Sequence, residues 1–270
     1  MLTDPVYHGA MDHWSENARR WALLGPPLRP CAEDTALAAR ALARGGEDLA
    51  RGLVLGVTPE LVTLPWPAGA TVIAADRVRA MIDVVFPPGP ARHPIVADWL
   101  ALPFAAGAID VALGDGCLST LPYPDGYRAF AAELARVARL VALRVFVAPP
   151  RPETIVDVAL ALPTIASFDA LKWRVAATLA GDDRNVPLVA IHAALTAALP
   201  DRDALAARTG WRRDAIDHVD VYRTSPARYS FPTLAEVRAA FAADLEEVAC
   251  EVPSYPLGDR FPTVTWRSRR

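Results

Sequence analysis

Three aspartates, Asp76, Asp98 and Asp115, stand at or just past the end of short apolar runs, and a single glycine, Gly56, ends another run upstream of the first. A carboxylate placed there can accept hydrogen bonds from the hydroxyls of a bound sugar, while a glycine lets the backbone come close to a ligand that a Cβ would hold away. The distance from Gly56 to Asp76 matches the separation between a turn and a sugar-binding acid in nucleotide sites. Asp115 opens the loop 115–121, where a carboxylate can serve as a base or orient a reactant, or can simply form an Asp-Gly turn with Gly116. Asp98 has an ordinary alternative as the cap of a following helix. Asp110 sits inside a strand and reads as structural.

These acids need strands to carry them. Arg51 to Leu61, RGLVLGVTPEL, reads as a strand covered on both faces that ends in a tight turn at Gly56 and re-enters helix near Pro59. Further strands are predicted over Ala70–Asp76, Pro94–Asp98, Ala108–Gly114 and Leu140–Val147, with helices over Cys31–Leu49, Asp76–Val85 and Tyr127–Ala138. Alternating strands and helices predict an α/β, Rossmann-like doubly wound sheet whose ligand crevice lies at the carboxyl ends of the strands.

Over residues 51–149 the chain resembles the class I S-adenosylmethionine-dependent methyltransferases. The resemblance rests on the Gly56 turn, on Asp76, on Asp98, and on Leu102-Pro103-Phe104 after the third strand. It implies a mostly parallel seven-stranded sheet with an antiparallel last strand. It also implies S-adenosylmethionine as cofactor, with Asp76 on the ribose, Asp98 near the adenine, Met81 covering one of them unless it is an ordinary core-packing residue, as a lone Met more often is, and Gly56, Thr58, Glu60, Arg77 and Trp99 completing the cofactor site. Asp115 would lie near the transferred methyl group as base or acceptor-orienting residue. The chain departs from the family at the first turn: of three customary glycines only Gly56 is present, and Thr58 and Glu60 stand in place of the others.

Outside that core, Tyr7, Trp14 and Trp21 recur at seven-residue steps, which keeps them near one helical face. Residues 1–30 read either as a helix packed on the core or as a flap over the site, with Arg29 available to bind a carboxylate. The final hairpin is expected at Leu245–Val252 and Thr263–Arg267, preceded by a helix at Thr233–Ala243. Residues 150–228 are then a helical insertion after the fifth strand, with runs at Thr154–Leu162, Phe168–Leu179, Leu188–Leu199 and Arg202–Thr209. The expected division is a core of 1–149 and 229–270 with 150–228 as a substrate cap. Phe168, Lys172, Trp173 and Arg174 are its candidates for substrate contact, the charged ones having solvated surface as the ordinary alternative.

Composition narrows the partners. The 270 residues are 53% hydrophobic and 22% charged, with a net charge of −3, which provides no electrostatic footprint for nucleic acid. The three cysteines and five histidines show no metal-ligand spacing, so no metal is expected. No apolar run reaches membrane-spanning length and the first residues lack the pattern of a signal peptide, so the expected setting is cytoplasmic. The expected partner is a small-molecule substrate, and a homodimer is allowed. A nicotinamide-dependent oxidoreductase would call for G-x-G-x-x-G at the first turn, which is missing, and no Tyr-x-x-x-Lys pair is present. The rival from another class is a nucleoside-binding or interaction protein that kept the fold and lost the chemistry.

Overall fold

The computed structural model describes residues 13–270. Its centre is β1 (Arg51–Leu55), hydrogen-bonded in parallel to β2 (Thr71–Asp76) on one side and to β4 (Ile109–Asp115) on the other. With β3 (Arg92–Val96), β5 (Ala138–Arg144), β8 (Leu245–Glu251) and β9 (Thr263–Ser268), the seven strands lie in the order β3-β2-β1-β4-β5-β9-β8. Only β9 runs against the others. The order reverses between β1 and β4, so the connections leaving these two paired strands run in opposite directions and open a crevice at their carboxyl ends.

The two-residue period of a strand decides which side chain enters which layer. Leu53 and Leu55 join one buried layer with Ala112, Val141 and Leu143, and Val54 joins the opposite one with Val111, Leu113 and Leu140. Helix α1 (Ala32–Ala43) packs into the second layer through Ala38, Ala41 and Leu42. The short α2 (Pro59–Val62) and α3 (Arg79–Val85) add Val62, Met81 and Val85. The first layer is filled by α4 (Asp125–Val137) through Phe130, Ala131 and Leu134. Each fully buried Leu or Phe contributes about 1.5–3 kcal/mol relative to exposure, which explains why β1 reads as a continuous apolar run.

The insertion holds α5 (Ile155–Leu160), α6 (Phe168–Thr178), α7 (Leu188–Ala198), α8 (Arg202–Thr209) and α9 (Arg213–Asp217). It also contains an antiparallel ribbon, β6 (Asn185–Pro187) with β7 (Arg228–Ser230), that the helical reading of this stretch did not anticipate. Three-residue strands are too short to leave a periodic signal. The ribbon is stitched to the core: the Asn185 side chain accepts from Tyr123 N–H at 3.0 Å and donates to its carbonyl at 2.9 Å, and the Ser230 and Tyr127 hydroxyls are 2.8 Å apart. The chain returns to the sheet through α10 (Leu234–Phe241), whose start is fixed by a capping box between Thr233 and Glu236.

Candidate active site

A cleft opens at the carboxyl ends of β1, β2 and β4 and measures about 1090 Å³ including its mouth. Its floor begins at Gly56, which continues the sheet by donating its N–H to Ala75 O at 2.7 Å and then turns with φ +90°. That left-handed backbone is what requires glycine here. A Cβ would have room, at 3.8 Å from Trp99 and 3.9 Å from Asp76 Oδ2, but the conformation would cost about 1–2 kcal/mol. Trp99 is fixed by its indole N–H, which donates to the same Ala75 carbonyl at 2.7 Å. Asp76, buried at the end of β2, accepts from Val78 N–H at 2.8 Å through Oδ1. Burial pushes its carboxyl from 3.8 up to about 6, against the pull of the backbone N–H groups and of Arg77.

Arg77, Met81, Asp98 and Trp99 line the same cleft, as does Thr58. Asp98 is exposed at its mouth and uses Oδ1 to accept from Leu100 N–H at 3.0 Å, a local turn in place of the helix cap weighed above, since no helix follows it directly. The loop after β4 forms the opposite wall. Gly116, with φ +61°, starts a short turn, Cys117–Thr120, tightened by Ser119 Oγ donating to Gly116 O at 2.7 Å and Thr120 Oγ1 donating to Cys117 O at 2.8 Å. Burial pushes the Cys117 thiol up to about 12, so it stays protonated.

Several sequence expectations need correction. Asp115 borders the cleft, but its carboxylate is committed to Arg144, whose Nε donates to Oδ1 at 2.5 Å. Arg144 also reaches Asp34 Oδ2 at 3.1 Å and Pro27 O at 2.8 Å, and Asp34 accepts from Tyr255 OH at 2.8 Å. Burial raises the Asp115 carboxyl while Arg144 draws it back down; burial likewise opposes charge on Arg144, but Asp115 and Asp34 outweigh it and raise the guanidinium. The structure thus gives Asp115 a fixed cationic partner at the edge of the cleft, which the sequence reading of a free base did not include. Glu60 is not in the cleft lining: it is held by Arg29, whose Nε donates to Oε1 at 3.0 Å with a second contact from Nη2. Arg29 is likewise absent from the cleft lining, and both of its side-chain hydrogen bonds go to Glu60 Oε1, while Glu60 Oε2 is buried without a hydrogen-bond partner among the described residues.

On α6 only Trp173 reaches the cleft. Side chains five apart on a helix point about 140° away from each other, so Phe168 and Trp173 cannot share a wall. Phe168 packs against Trp211 in the insertion's own core, at 6.2 Å between rings. Lys172 is buried on Asp169 at 2.8 Å and Arg174 is tied to Glu153 at 2.5 Å. Neither is a solvated surface charge.

The far wall contains residues the sequence reading had not placed there. Phe146 follows β5, Tyr222 belongs to the insertion, and Tyr229 lies in β7 where the chain leaves it. Their signal was weak: two tyrosines seven apart with no strand or helix periodicity between them. The N-terminal segment closes the top through Trp14, Asn17, Trp21, Leu24 and Leu28, so the seven-residue step does bring Trp14 and Trp21 to one cavity, while Tyr7 lies outside the described residues. The strap 25–29 is bonded on all sides. Gly25 N–H donates to Asp169 Oδ2 at 2.8 Å, Ser167 Oγ donates to Pro26 O at 2.7 Å, Arg144 holds Pro27, and Arg29 holds Glu60. Near it, His218 Nε2 meets Asn17 Oδ1 at 2.8 Å, and burial lowers its imidazole to about 4, with the charges of Lys172 and Arg20 adding to the effect.

Among the described residues no group of three or more His, Cys, Asp or Glu could hold a metal ion, and no helix is long and apolar enough to cross a membrane. No family model and no curated protein matches the chain. Solved structures match in shape. The chain is similar to a Rhodobacter sphaeroides protein named for Zn-dependent alcohol dehydrogenases (TM-score 0.65, 13% identity, covering 99% of this chain and 100% of that one). It is similar to a Burkholderia thailandensis 1,6-didemethyltoxoflavin-N1-methyltransferase solved with 1,6-didemethyltoxoflavin and S-adenosylhomocysteine (TM-score 0.56, 13% identity, 100% and 92%). A third match is the N-methyltransferase NodS from Bradyrhizobium japonicum WM9 with S-adenosylhomocysteine (TM-score 0.53, 12% identity, 99% and 100%). At such identities the likeness speaks for the fold.

Proposed function

We propose that this chain, which has the Rossmann-like fold of the class I S-adenosylmethionine-dependent methyltransferases, transfers a methyl group from S-adenosylmethionine to a small-molecule acceptor in the cleft described above. The observation that carries the reading is Asp76. A carboxylate buried at the end of β2, beside a glycine turn and with only backbone partners in its hydrogen bonding, retains acceptor positions for two neighbouring hydroxyls of a ribose. Met81 and Trp99 supply apolar surface for the adenosine, Asp98 sits at the mouth beside it, and Gly56, Thr58 and Arg77 border the path toward the methionine end. A zinc-dependent dehydrogenase reading finds no ligand cluster among the described residues.

When bound, the cofactor supplies a methyl group already activated by a sulfonium, so the protein's task is alignment and exclusion of water. The Gly116–Thr120 turn, Phe146 and Trp173 bound the space where donor and acceptor would meet. Asp115 acts indirectly, holding Arg144 and through it the strap. The insertion serves as a cap that selects the acceptor, with Trp173, Tyr222 and Tyr229 as its contact residues. The aromatic lining of the cleft supports a small acceptor, as does the 1,6-didemethyltoxoflavin bound in the Burkholderia neighbour. The three free thiols support a reducing, cytoplasmic setting.

Isothermal titration with S-adenosylhomocysteine tests the proposal. Saturable binding is expected, and Glu60→Gln should leave the affinity within about twofold because Glu60 faces Arg29. Absence of binding to folded protein would refute the reading. Binding without turnover of any acceptor would instead support the nucleoside-binding alternative.

A further inference from the structure

The acceptor half of the cleft has two features that together specify a ligand class. The first is a pair of idle donors. The indole N–H groups of Trp21 and Trp173 are buried, belong to residues that line the cleft, and have no hydrogen-bond partner among the described residues. A buried N–H without an acceptor costs about 1–3 kcal/mol, and two in one cavity form an expensive arrangement unless a ligand completes it. Tyr229 adds to the set: its hydroxyl receives Tyr222 OH at 3.4 Å, leaving its own proton available.

The second feature concerns the ring faces. Arg29 lies 5.3 Å from the centroid of Trp21, Arg144 4.8 Å from Phe146, and Lys172 Nζ 5.3 Å from Tyr222. All three rings line the cleft, so three of its walls are each backed by a fixed cation. Each cation is neutralised from behind by an acid, Glu60, Asp115 with Asp34, and Asp169 respectively. A ring whose electrons are already drawn toward one cation is a poor host for a second. The same polarisation favours stacking against an electron-rich ring.

We infer that the acceptor is a planar, conjugated molecule, neutral or anionic, that presents at least two oxygen or ring-nitrogen acceptors to the indole N–H groups of Trp21 and Trp173, and that an ammonium-bearing substrate is excluded. The inference rests on the methyltransferase reading for the word acceptor, but the recognition it describes can be measured alone. The probes are 1-hydroxy-2-naphthoate, planar and anionic with adjacent oxygens, and N,N,N-trimethylanilinium, aromatic and cationic. Each is titrated calorimetrically into the full chain with and without S-adenosylhomocysteine. The naphthoate should bind and the anilinium should not. Trp173→Phe and Trp21→Phe keep an aromatic ring and remove the N–H, and each should weaken naphthoate binding about five- to tenfold while leaving S-adenosylhomocysteine affinity within about twofold. Trp21 is only half-buried, in the short turn Trp21–Leu23 ahead of the strap, so its variant keeps the test decisive if Trp173→Phe fails to fold. The inference is overturned if the naphthoate does not bind, if the anilinium binds as tightly, or if naphthoate binding is indifferent to both folded replacements. Tryptophan-dependent naphthoate binding without any S-adenosylhomocysteine binding would retain this recognition and overturn only the proposed reaction.

Discussion

Replacing Asp76 with Asn should stabilise the free protein and weaken it as a cofactor binder. Burial raises the folded-state carboxyl from 3.8 to about 6. At about 1.4 kcal/mol per pH unit, ionising Asp76 therefore costs the folded state about 3 kcal/mol at pH 7.5. The sign follows from proton counting: between 3.8 and about 6 the native chain holds more protons than the unfolded one, so this group's contribution to stability falls as pH rises through that window and is fully unfavourable above it. An amide can still accept from Val78 N–H but has its own cost of burial, so the net gain expected for Asp76→Asn at pH 7.5 is about 1–2 kcal/mol. The more discriminating quantity is its pH dependence. The advantage of the variant should shrink by about 2 kcal/mol between pH 7.5 and 4.5, read from urea unfolding of both proteins at each pH. S-adenosylhomocysteine affinity should fall by about 1–3 kcal/mol in the variant, and the wild type should lose affinity as pH drops below about 6 while the variant does not. A variant that is less stable than wild type at pH 7.5, or a stability difference independent of pH, would refute the reasoning.

Two further outcomes follow from buried charge. Asp115→Asn leaves Arg144 with one carboxylate in place of two and should lower unfolding stability by about 3 kcal/mol, seen as a lower urea midpoint; unchanged stability with lost turnover would return Asp115 to the role of base. His218, lowered by burial to about 4, stays neutral in the fold while the unfolded chain protonates near 6.5, so wild type should lose up to about 3 kcal/mol relative to His218→Gln as pH falls from about 6.5 to 4. Parallel unfolding curves at the two pH values would contradict it.

What was legible in the chain was what strand periodicity and local chemistry encode. β1 announced itself because Leu53, Val54 and Leu55 are apolar on both faces, and Asp76 because it ends the next such run. The seven strands and the antiparallel last one followed from the resemblance over those elements, while their order came only from the fold. The side of α6 that meets the cleft was not legible, because eight consecutive or near-consecutive positions from Phe168 to Ala176 are buried and a helix covered all round has no periodic face to read. The surroundings of Asp115 were not legible for a different reason. Its position pointed to chemistry, but its partner Arg144 comes from the neighbouring strand and Asp34 from a helix far earlier in the chain, a meeting that only the tertiary fold creates. Glu60 is similar: at the turn it looked like a ligand residue, and its true partner is on the strap.

The strap also determines where the protein can be watched. Because residues 25–29 are bonded to the insertion, to β5 and to the first turn, any opening that admits a ligand from that side breaks the Gly25 N–H to Asp169 bond. The Gly25 amide is thus a built-in clock for local unfolding. Its hydrogen-exchange rate in the free protein gives the fraction of time the strap is away from the cleft, with no probe attached and no substrate known.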